Sequence, residues 1–576
     1  MKLIVLVSLI CFSWFVKAQS TESIKKYFLR EFIEEKYHNP SDKEKALKEI
    51  GFETHQTSPI LNSENKSLYE EDGSLQVGAE PHIAINPNNP NHIVVTFMSV
   101  GGEFEFPVYY SFDAGETWTK SDYSIASSFK THMGITEELE HGGDPILAFD
   151  NNGKLYFSWL FVHDNIGTTG FVFSNDGGVT FNEVNAESII NSGSTQEMEV
   201  LDREWLAVDN SGDENEGTLY MSAFYLGQIF NDNGQIVLTK PAGSNTFNTT
   251  VTSASPFDMV TAPQFGNIKV DNSGNIHISC MQYSPQDGAG HIVYSRSTDG
   301  AASFTELNIS SNHTQTNGNA ILHSRENAAV SMDIDGDNVY ITWSDYSDSD
   351  IQSYYVYSNN NGIDWSSPIN LNTLLGTDMY YLMPNVSADN GKMAISFYAA
   401  DKTSKIGSYY IVSSADMGQS LGAAVEISSV NTDFNTVTDS EFMGDYNTSL
   451  MQGCDVYSIW SNKSDSQIKI YLGITDICST TGIMEYNTVN GSFDLDDIYP
   501  NPIQEDLNLN LHSSKNQNIV LEIISLDGKK ILKKDFTIFK GQNTIETNIS
   551  KLTKGVYLLK LSNASNDIIS KKIIKL

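Results

Sequence analysis

The strongest constraint in this sequence is a repeat. Between Glu80 and Trp118, three short apolar stretches follow one another: Pro81-His82-Ile83-Ala84-Ile85-Asn86, His92 to Met98, and Val108-Tyr109-Tyr110. A tight turn, Ser111-Phe112-Asp113-Ala114-Gly115-Glu116-Thr117-Trp118, then leads towards a fourth. β-Branched and aromatic runs bounded by turn formers predict strands, so the stretch reads as one four-stranded antiparallel unit of about 60 residues. Its opening strand returns as Ile146 to Asp150, Leu206 to Asp209, Ile268 to Asp271, Val330 to Asp333, Val386 to Asp389 and, in weaker form, Tyr446 to Ser449. The last residues of the seven strands, 86, 150, 209, 271, 333, 389 and 449, are 64, 59, 62, 62, 56 and 60 apart. A near-constant period with that internal pattern predicts like sheets burying their faces against neighbours around an axis, an all-β β-propeller. Seven blades is the count, with six as the alternative.

The turn is an independent signal. Ser111-x-Asp113-x-Gly115-x-Thr117-Trp118 is echoed by Ser174-x-Asp176-x-Gly178-x-Thr180-Phe181, Ser297-x-Asp299-x-Ala301-x-Ser303-Phe304 and Ser358-x-Asn360-x-Gly362-x-Asp364-Trp365. Ser414-x-Asp416-x-Gly418-x-Ser420-Leu421 is a degenerate copy. The third residue of each turn lies 26 to 28 residues after the end of its own opening strand, so the turn holds one place in each unit. Its chemistry is structural: the Asp carboxylate accepts backbone N–H groups, Gly permits positive φ and the aromatic packs between sheets.

These turns resemble the Asp boxes of the sialidase superfamily, and the resemblance spans roughly residues 78 to 476. It implies the propeller fold. Because such boxes occur in sialidases, in other propeller glycosidases and lyases, and in propellers without activity, it leaves the chemistry open.

Charge narrows the partners. The chain has 35 basic and 72 acidic residues, a net charge of −37. Such a surface repels nucleic acid and anionic membranes. It also makes divalent cations admissible: Asp333-Ile334-Asp335-Gly336-Asp337 has the look of a calcium loop, but it sits at a strand turn and lacks the Glu of an EF-hand. The expectation is no cofactor and no metal, with calcium as the alternative.

Met1-Lys2, the apolar run Leu3 to Val16 and Lys17-Ala18-Gln19 fit a secretory signal peptide over residues 1–18. No other stretch has membrane-spanning length. Cys11 leaves with the signal. Cys280, Cys454 and Cys478 are neither a disulfide framework nor a metal motif by spacing, and a Cys454–Cys478 pair stays open. Residues 19–77 read as a short helical segment, with Ile24, Phe28, Leu29 and Phe32 on one face, followed by a polar linker. The propeller is expected over 78–480.

In repeats of this pattern the first strand is innermost. The loop leading into it emerges on the face opposite the Asp boxes, where propeller enzymes generally work. The residues there are Glu80-Pro81-His82; His141-Gly-Gly-Asp144; Asp202-Arg203-Glu204-Trp205; Pro263-Gln264-Phe265; His323-Ser-Arg325-Glu326-Asn327; Tyr380-Tyr381-Leu-Met-Pro384; and Glu441-Phe-Met-Gly-Asp445-Tyr446. Six of the seven positions bring ionisable groups and the seventh the aromatic Phe265, which scattered surface charge would not do.

Candidate roles follow from side-chain chemistry. Asp144, Glu204, Glu326 and Asp445 can supply the acid and base of glycoside hydrolysis, and His141 and Tyr446 the proton abstraction and return of a polysaccharide lyase. Arg203 and Arg325, two of only four arginines, can hold a carboxylate or sulfate in a planar fork. Glu441, Trp205 and Tyr381 would complete substrate binding, while His82 reads as a structural hydrogen-bonder. Loops bearing Glu105, His291, Asp345 to Asp350 and Lys402 could rim the funnel. The resemblance to true sialidases stops short of their arginine triad and their Arg-Ile-Pro-like segment, which argues against release of sialic acid. The expected activity is glycoside hydrolase-like on an acidic extracellular polysaccharide or glycoconjugate; the alternatives are a non-catalytic glycan-binding or adhesion propeller and a propeller-type lyase.

The tail is separate. Ile498-Tyr-Pro-Asn-Pro502 opens alternating strands at Leu507 to Leu511, Ile519 to Ile523 and Thr544 to Thr547. The turn Ser525-Leu-Asp-Gly-Lys529, the segment Lys554-Gly-Val-Tyr557 and the basic end Lys571 to Leu576 complete it. Residues 495–576 resemble the C-terminal sorting domain of the type IX secretion system of Bacteroidetes, a small β-sandwich. That resemblance implies passage across the outer membrane by the type IX machinery, then release or surface attachment.

Overall fold

The computed structural model describes residues 65–67 and 77–575, apart from 101–104, 124–128, 130, 132–140, 164–165, 182–186, 189–199, 228–229, 245, 249, 257–261, 284–288, 315–321, 323–328, 348–349, 438–441, 464–467, 479–485, 488–491, 500–502, 526–529, 554 and 564–567. The expected signal peptide and N-terminal helical segment lie outside the described residues. What is described is all-β, and it divides into two units, Met1–Thr475 and Asp476–Leu576. Among the described residues, no helix is long and apolar enough to cross a membrane.

In the first unit each repeat forms an antiparallel meander. The first runs through Val77–Asn86, Asn89–Val100, Val108–Ser111 and Thr119–Lys120. The opening strands of the next six are His141–Phe149, Val200–Val208, Ala262–Val270, Ser331–Asp335, Met379–Asp389 and Thr448–Gln452. The second and third meanders share one parallel bridge, Val200 to Gly167, and so merge into an eight-stranded sheet. The seventh departs from expectation. Its fourth strand is Asn65–Ser67, which comes from the far end of the unit, out of the stretch read as linker, and pairs with Ile468–Asp476. A strand so placed supplies the outer hydrogen bonds that the end of the repeat array leaves unmade.

Successive opening strands touch in closed order. Glu80 Oε2 accepts from the Asp144 N–H at 2.9 Å. Arg203 pairs with Asp144 and lies 4.4 Å from the centre of the Phe265 ring. Lys269 meets Asp333 at 2.9 Å, and the Ser331 hydroxyl accepts from Asn385 Nδ2 at 2.9 Å. Asn385 Oδ1 accepts from the Ser449 N–H at 2.8 Å, and the Thr448 hydroxyl donates to the Pro81 carbonyl at 2.8 Å, which returns the ring to its start. The spaces between sheets are filled with aromatic side chains, Trp159, Trp343 and Trp460 being fully buried. Gly170 is required by this packing, because a Cβ there would stand 2.3 Å from the Trp159 ring.

The Ser-x-Asp-x-Gly turns behave as their sequence dictates. Asp113 Oδ1 accepts the Thr117 N–H at 2.8 Å, its other oxygen takes the Thr117 hydroxyl at 2.6 Å, and Ser111 Oγ accepts the Gly115 N–H at 2.8 Å. The set recurs around Asp176, Asp299 and Asp416. The calcium-like stretch is a hairpin turn. Asp333 is held by Lys269 and the Ala388 N–H, and Asp335 accepts from the Gly391 N–H.

The second unit packs the sheet of Gln517–Ser525, Lys530–Ile538, Gly555–Asn563 and Ile568–Lys575, edged by Tyr486–Asn487, with a three-stranded sheet of Phe493–Tyr499, Asp506–Ser513 and Gly541–Asn548. Leu507, Leu509 and Leu511 alternate into one core with Ile519, Leu521, Ile523, Leu559 and Leu561.

Candidate functional site

The candidate site is made by a distortion shared by five opening strands. Their pairing skips two residues, between Ala79 and His82, Gly143 and Ile146, Asp202 and Trp205, Gln264 and Asn267, and Leu382 and Asn385. The first skipped residue is in each case a non-glycine in the left-handed region: Glu80 at φ 52°, Asp144 at 53°, Arg203 at 56°, Phe265 at 58° and Met383 at 50°. The second skipped residue is Pro81, Pro145 or Pro384 in three of them, tolerated because the bulge asks for no ladder N–H there. A bulge re-aims side chains, and here it gathers residues of several sheets into one place.

Arg203 is the hub, its side chain 11% exposed. Nη2 is hydrogen-bonded to Asp445 Oδ2, Nε lies 3.6 Å from Asp144 Oδ1, and the guanidinium is 4.4 Å from the Phe265 ring centre and 5.6 Å from that of Tyr446. Trp205 meets Tyr446 edge-on at 5.4 Å and His82 at 5.2 Å. Arg203, Trp205, Phe265, Asn267, Asp445 and Tyr446 are among the residues lining a small pocket.

Acid chemistry is concentrated behind this wall. Glu204 is wholly buried, with both carboxylate oxygens lacking a partner among the described residues, and burial pushes its carboxyl well above the usual range. Glu80 is raised by burial and by the negative charges of Asp144 and Asp445. Burial pushes Asp144 up to about 7 against the lowering effect of Arg203, and Asp202 up to about 6. Burial disfavours the charge on Arg203, but Asp445, Asp144 and Glu80 outweigh it and keep the guanidinium ionised. Burial drives His82 down to about 3; as a neutral ring it accepts from the Leu147 N–H at 3.2 Å, the structural part its sequence suggested.

The candidates fall into four groups. Arg203, Trp205, Asp445 and Tyr446 line the cavity; Asp144 and Glu204 stand nearby, outside its lining. Tyr381 is elsewhere: it is fully buried in the sixth sheet, where its hydroxyl accepts from the Leu375 N–H and donates to the Asn372 and Gly376 carbonyls. Burial of a large ring with a satisfied hydroxyl makes it a packing residue. Arg325, Glu326 and Glu441 lie outside the described residues, as does the side chain of His141. Of the rim residues, Lys402 is tied to Asp350 at 2.7 Å. Sequence reasoning placed Glu80 and Phe265 on this face without giving them a role, and it missed Asn267. The available signal was offset: Glu80, Asp144, Arg203 and Phe265 each stand six places before the repeat positions 86, 150, 209 and 271.

The class of chain is defined first by its tail: residues 497–575 match the secretion system C-terminal sorting domain. The protein is thus directed by type IX secretion to the cell surface or the extracellular space, and the tail is its point of contact with that machinery. The chain also shows a distant likeness to several solved structures at low identity. A protein of unknown function from Dyadobacter fermentans is 14% identical, with a TM-score of 0.37 over 63% of this chain and 98% of that one. A family PL25 ulvan lyase is 11% identical, TM-score 0.39, over 65% and 87%. Trypanosoma rangeli sialidase bound to the inhibitor DANA is 10% identical, TM-score 0.36, over 91% and 88%. No curated protein matches the sequence.

Proposed function

We propose that the first unit is a seven-bladed, sialidase-like β-propeller that binds an extracellular carbohydrate in its axial cavity. The blade count is supported by the meanders and by their opening strands touching in closed order. The binding reading is carried by the cavity wall, where the rings of Trp205, Phe265 and Tyr446 stand beside the amide of Asn267. Sugar rings present apolar C–H faces to aromatics and hydroxyls to amides, and apolar walls with a few placed polar groups are what small-molecule sites use. Backbone strain at five equivalent positions, of order 1–3 kcal/mol each, fits a ring of residues held in place for a ligand.

Hydrolysis is the second reading, favoured by one observation. Asp144, raised to about 7, holds a proton near neutral pH, while Asp445 faces Arg203 as its counter-charge. A buried carboxyl group that keeps its proton near neutral pH is a candidate general acid. Recognition without cleavage ranks first because Asp144 stands outside the cavity lining. Elimination by Tyr446 ranks last, since burial raises its hydroxyl above the usual tyrosine range and keeps it protonated, so that no phenolate is available to abstract a proton.

A glycan-binding screen on the exported chain, followed by turnover assays on every ligand found, tests this. The expected result is binding that Trp205→Ala weakens by at least about ten-fold, the effect of losing a buried aromatic anchor, and no product. Turnover abolished by Asp144→Asn would establish the hydrolytic reading instead.

A further inference from the structure

Building on the carbohydrate reading, we propose that the axial cavity selects an uncharged sugar ring, and that Arg203 excludes anions because its guanidinium is already engaged. The two arginines read from the sequence pointed to an acidic glycan, and the surroundings of Arg203 point the other way.

An arginine that clamps a substrate carboxylate needs a free edge of its planar fork. At Arg203 one edge is hydrogen-bonded to Asp445, Nε faces Asp144, and the plane lies against Phe265 and near Tyr446. Near Arg203 stand four carboxyl groups that interact with its charge, Glu80, Asp144, Asp202 and Asp445, with Glu204 beside Asp144. An incoming carboxylate or sulfate would have to displace the Asp445 carboxylate from Arg203 and lie against its charge. Close like-charge contact of this kind is how a site rejects a ligand.

The wall asks for hydroxyls instead. Asn267 is buried, and its Oδ1 has no partner among the described residues; the Tyr446 hydroxyl likewise has none. Both border the cavity. Sugar hydroxyls donate and accept in turn and satisfy both atoms without bringing in charge.

The test is calorimetric titration of the full exported chain at pH 7.5. The probes are trisaccharides of glucose, galactose and N-acetylglucosamine, set against glucuronate and galacturonate trimers. The expected result is that a neutral trimer binds at least about ten-fold more tightly than its uronate counterpart, with little change in Kd between low and high salt. Asp445→Asn keeps the side-chain shape and removes the negative charge that holds Nη2, so it should raise uronate affinity by about ten-fold or more; differential scanning calorimetry checks that this variant is folded. Wild-type preference for a uronate, weakened by salt, overturns the proposal while leaving the carbohydrate reading intact. A folded Asp445→Asn protein with unchanged preference overturns the role given to Arg203. Binding of neither class overturns the carbohydrate reading and this inference with it.

Discussion

A buried carboxyl group with no partner is costly, and Glu204 is the sharpest case in this protein. Burial holds its pKa above that of the unfolded chain. An acid shifted in that direction stabilises the fold below about pH 4, and loses this contribution as pH rises towards its folded-state value. Asp202 and Asp144, raised to about 6 and about 7, titrate out over the same interval. His82, held neutral down to about 3, has the opposite sign: its contribution is present above about 6.5 and is lost as pH falls. The wild-type profile mixes both trends, so the informative quantity is a difference. Glu204→Met, similar in shape and without a charge, should be more stable than wild type at pH 7.5 by about 1–3 kcal/mol. The gain should shrink towards pH 4, as followed by urea unfolding across that range.

Hairpins and bulges are where local sequence and tertiary packing meet. The Ser-x-Asp-x-Gly turns could be read because the bonds made by their Ser and Asp side chains are short-range, with donor and acceptor two to four residues apart. Glycine in these turns answers to the neighbouring sheet as well. Gly362 sits at φ 76°, and a Cβ on it would stand 2.0 Å from the Tyr294 hydroxyl, which also meets His277 Nδ1 at 2.6 Å. Gly362→Ala therefore meets both backbone strain and a clash, and should lower stability by about 2–4 kcal/mol in chemical denaturation. The third turn bears the corresponding strain natively, with Ala301 at φ 69°. Ala301→Gly should change stability by less than about 1 kcal/mol, because relief of the strained φ is offset by loss of a buried methyl group. The bulges were less legible: a two-residue skip leaves no mark in a single strand, and only the shared offset of Glu80, Asp144, Arg203, Phe265 and Met383 betrays it.

For the molecule as a whole, the decisive element is the three-residue strand Asn65–Ser67. It caps the last meander from the opposite end of the unit, with Asn65 opposite Gly473 and Ser67 opposite Tyr471. Closure of a ring by chain ends makes the stability of every sheet depend on that seam. A chain beginning at residue 70 should unfold at a temperature several degrees lower, with earlier hydrogen exchange in Ile468–Asp476 than in the third or fourth meander. An unchanged melting temperature would show that the seam adds nothing beyond the contacts of the opening strands.

By itself the sequence determined the repeat, its turns, the face on which side chains of interest gather, and the export tail. Each of these rests on periodicity or on bonds between near neighbours, which one strand of text records. Only the tertiary structure decided which of the gathered groups meet. Arg203 and Asp445 are 242 residues apart, and their pairing depends on a ring that closes only when all the sheets are in place. That pairing is the basis of the role we propose for Arg203, a tie between sheets in place of an anion clamp. It follows from desolvation: a buried guanidinium takes the nearest carboxylates as counter-ions, and no local pattern names them.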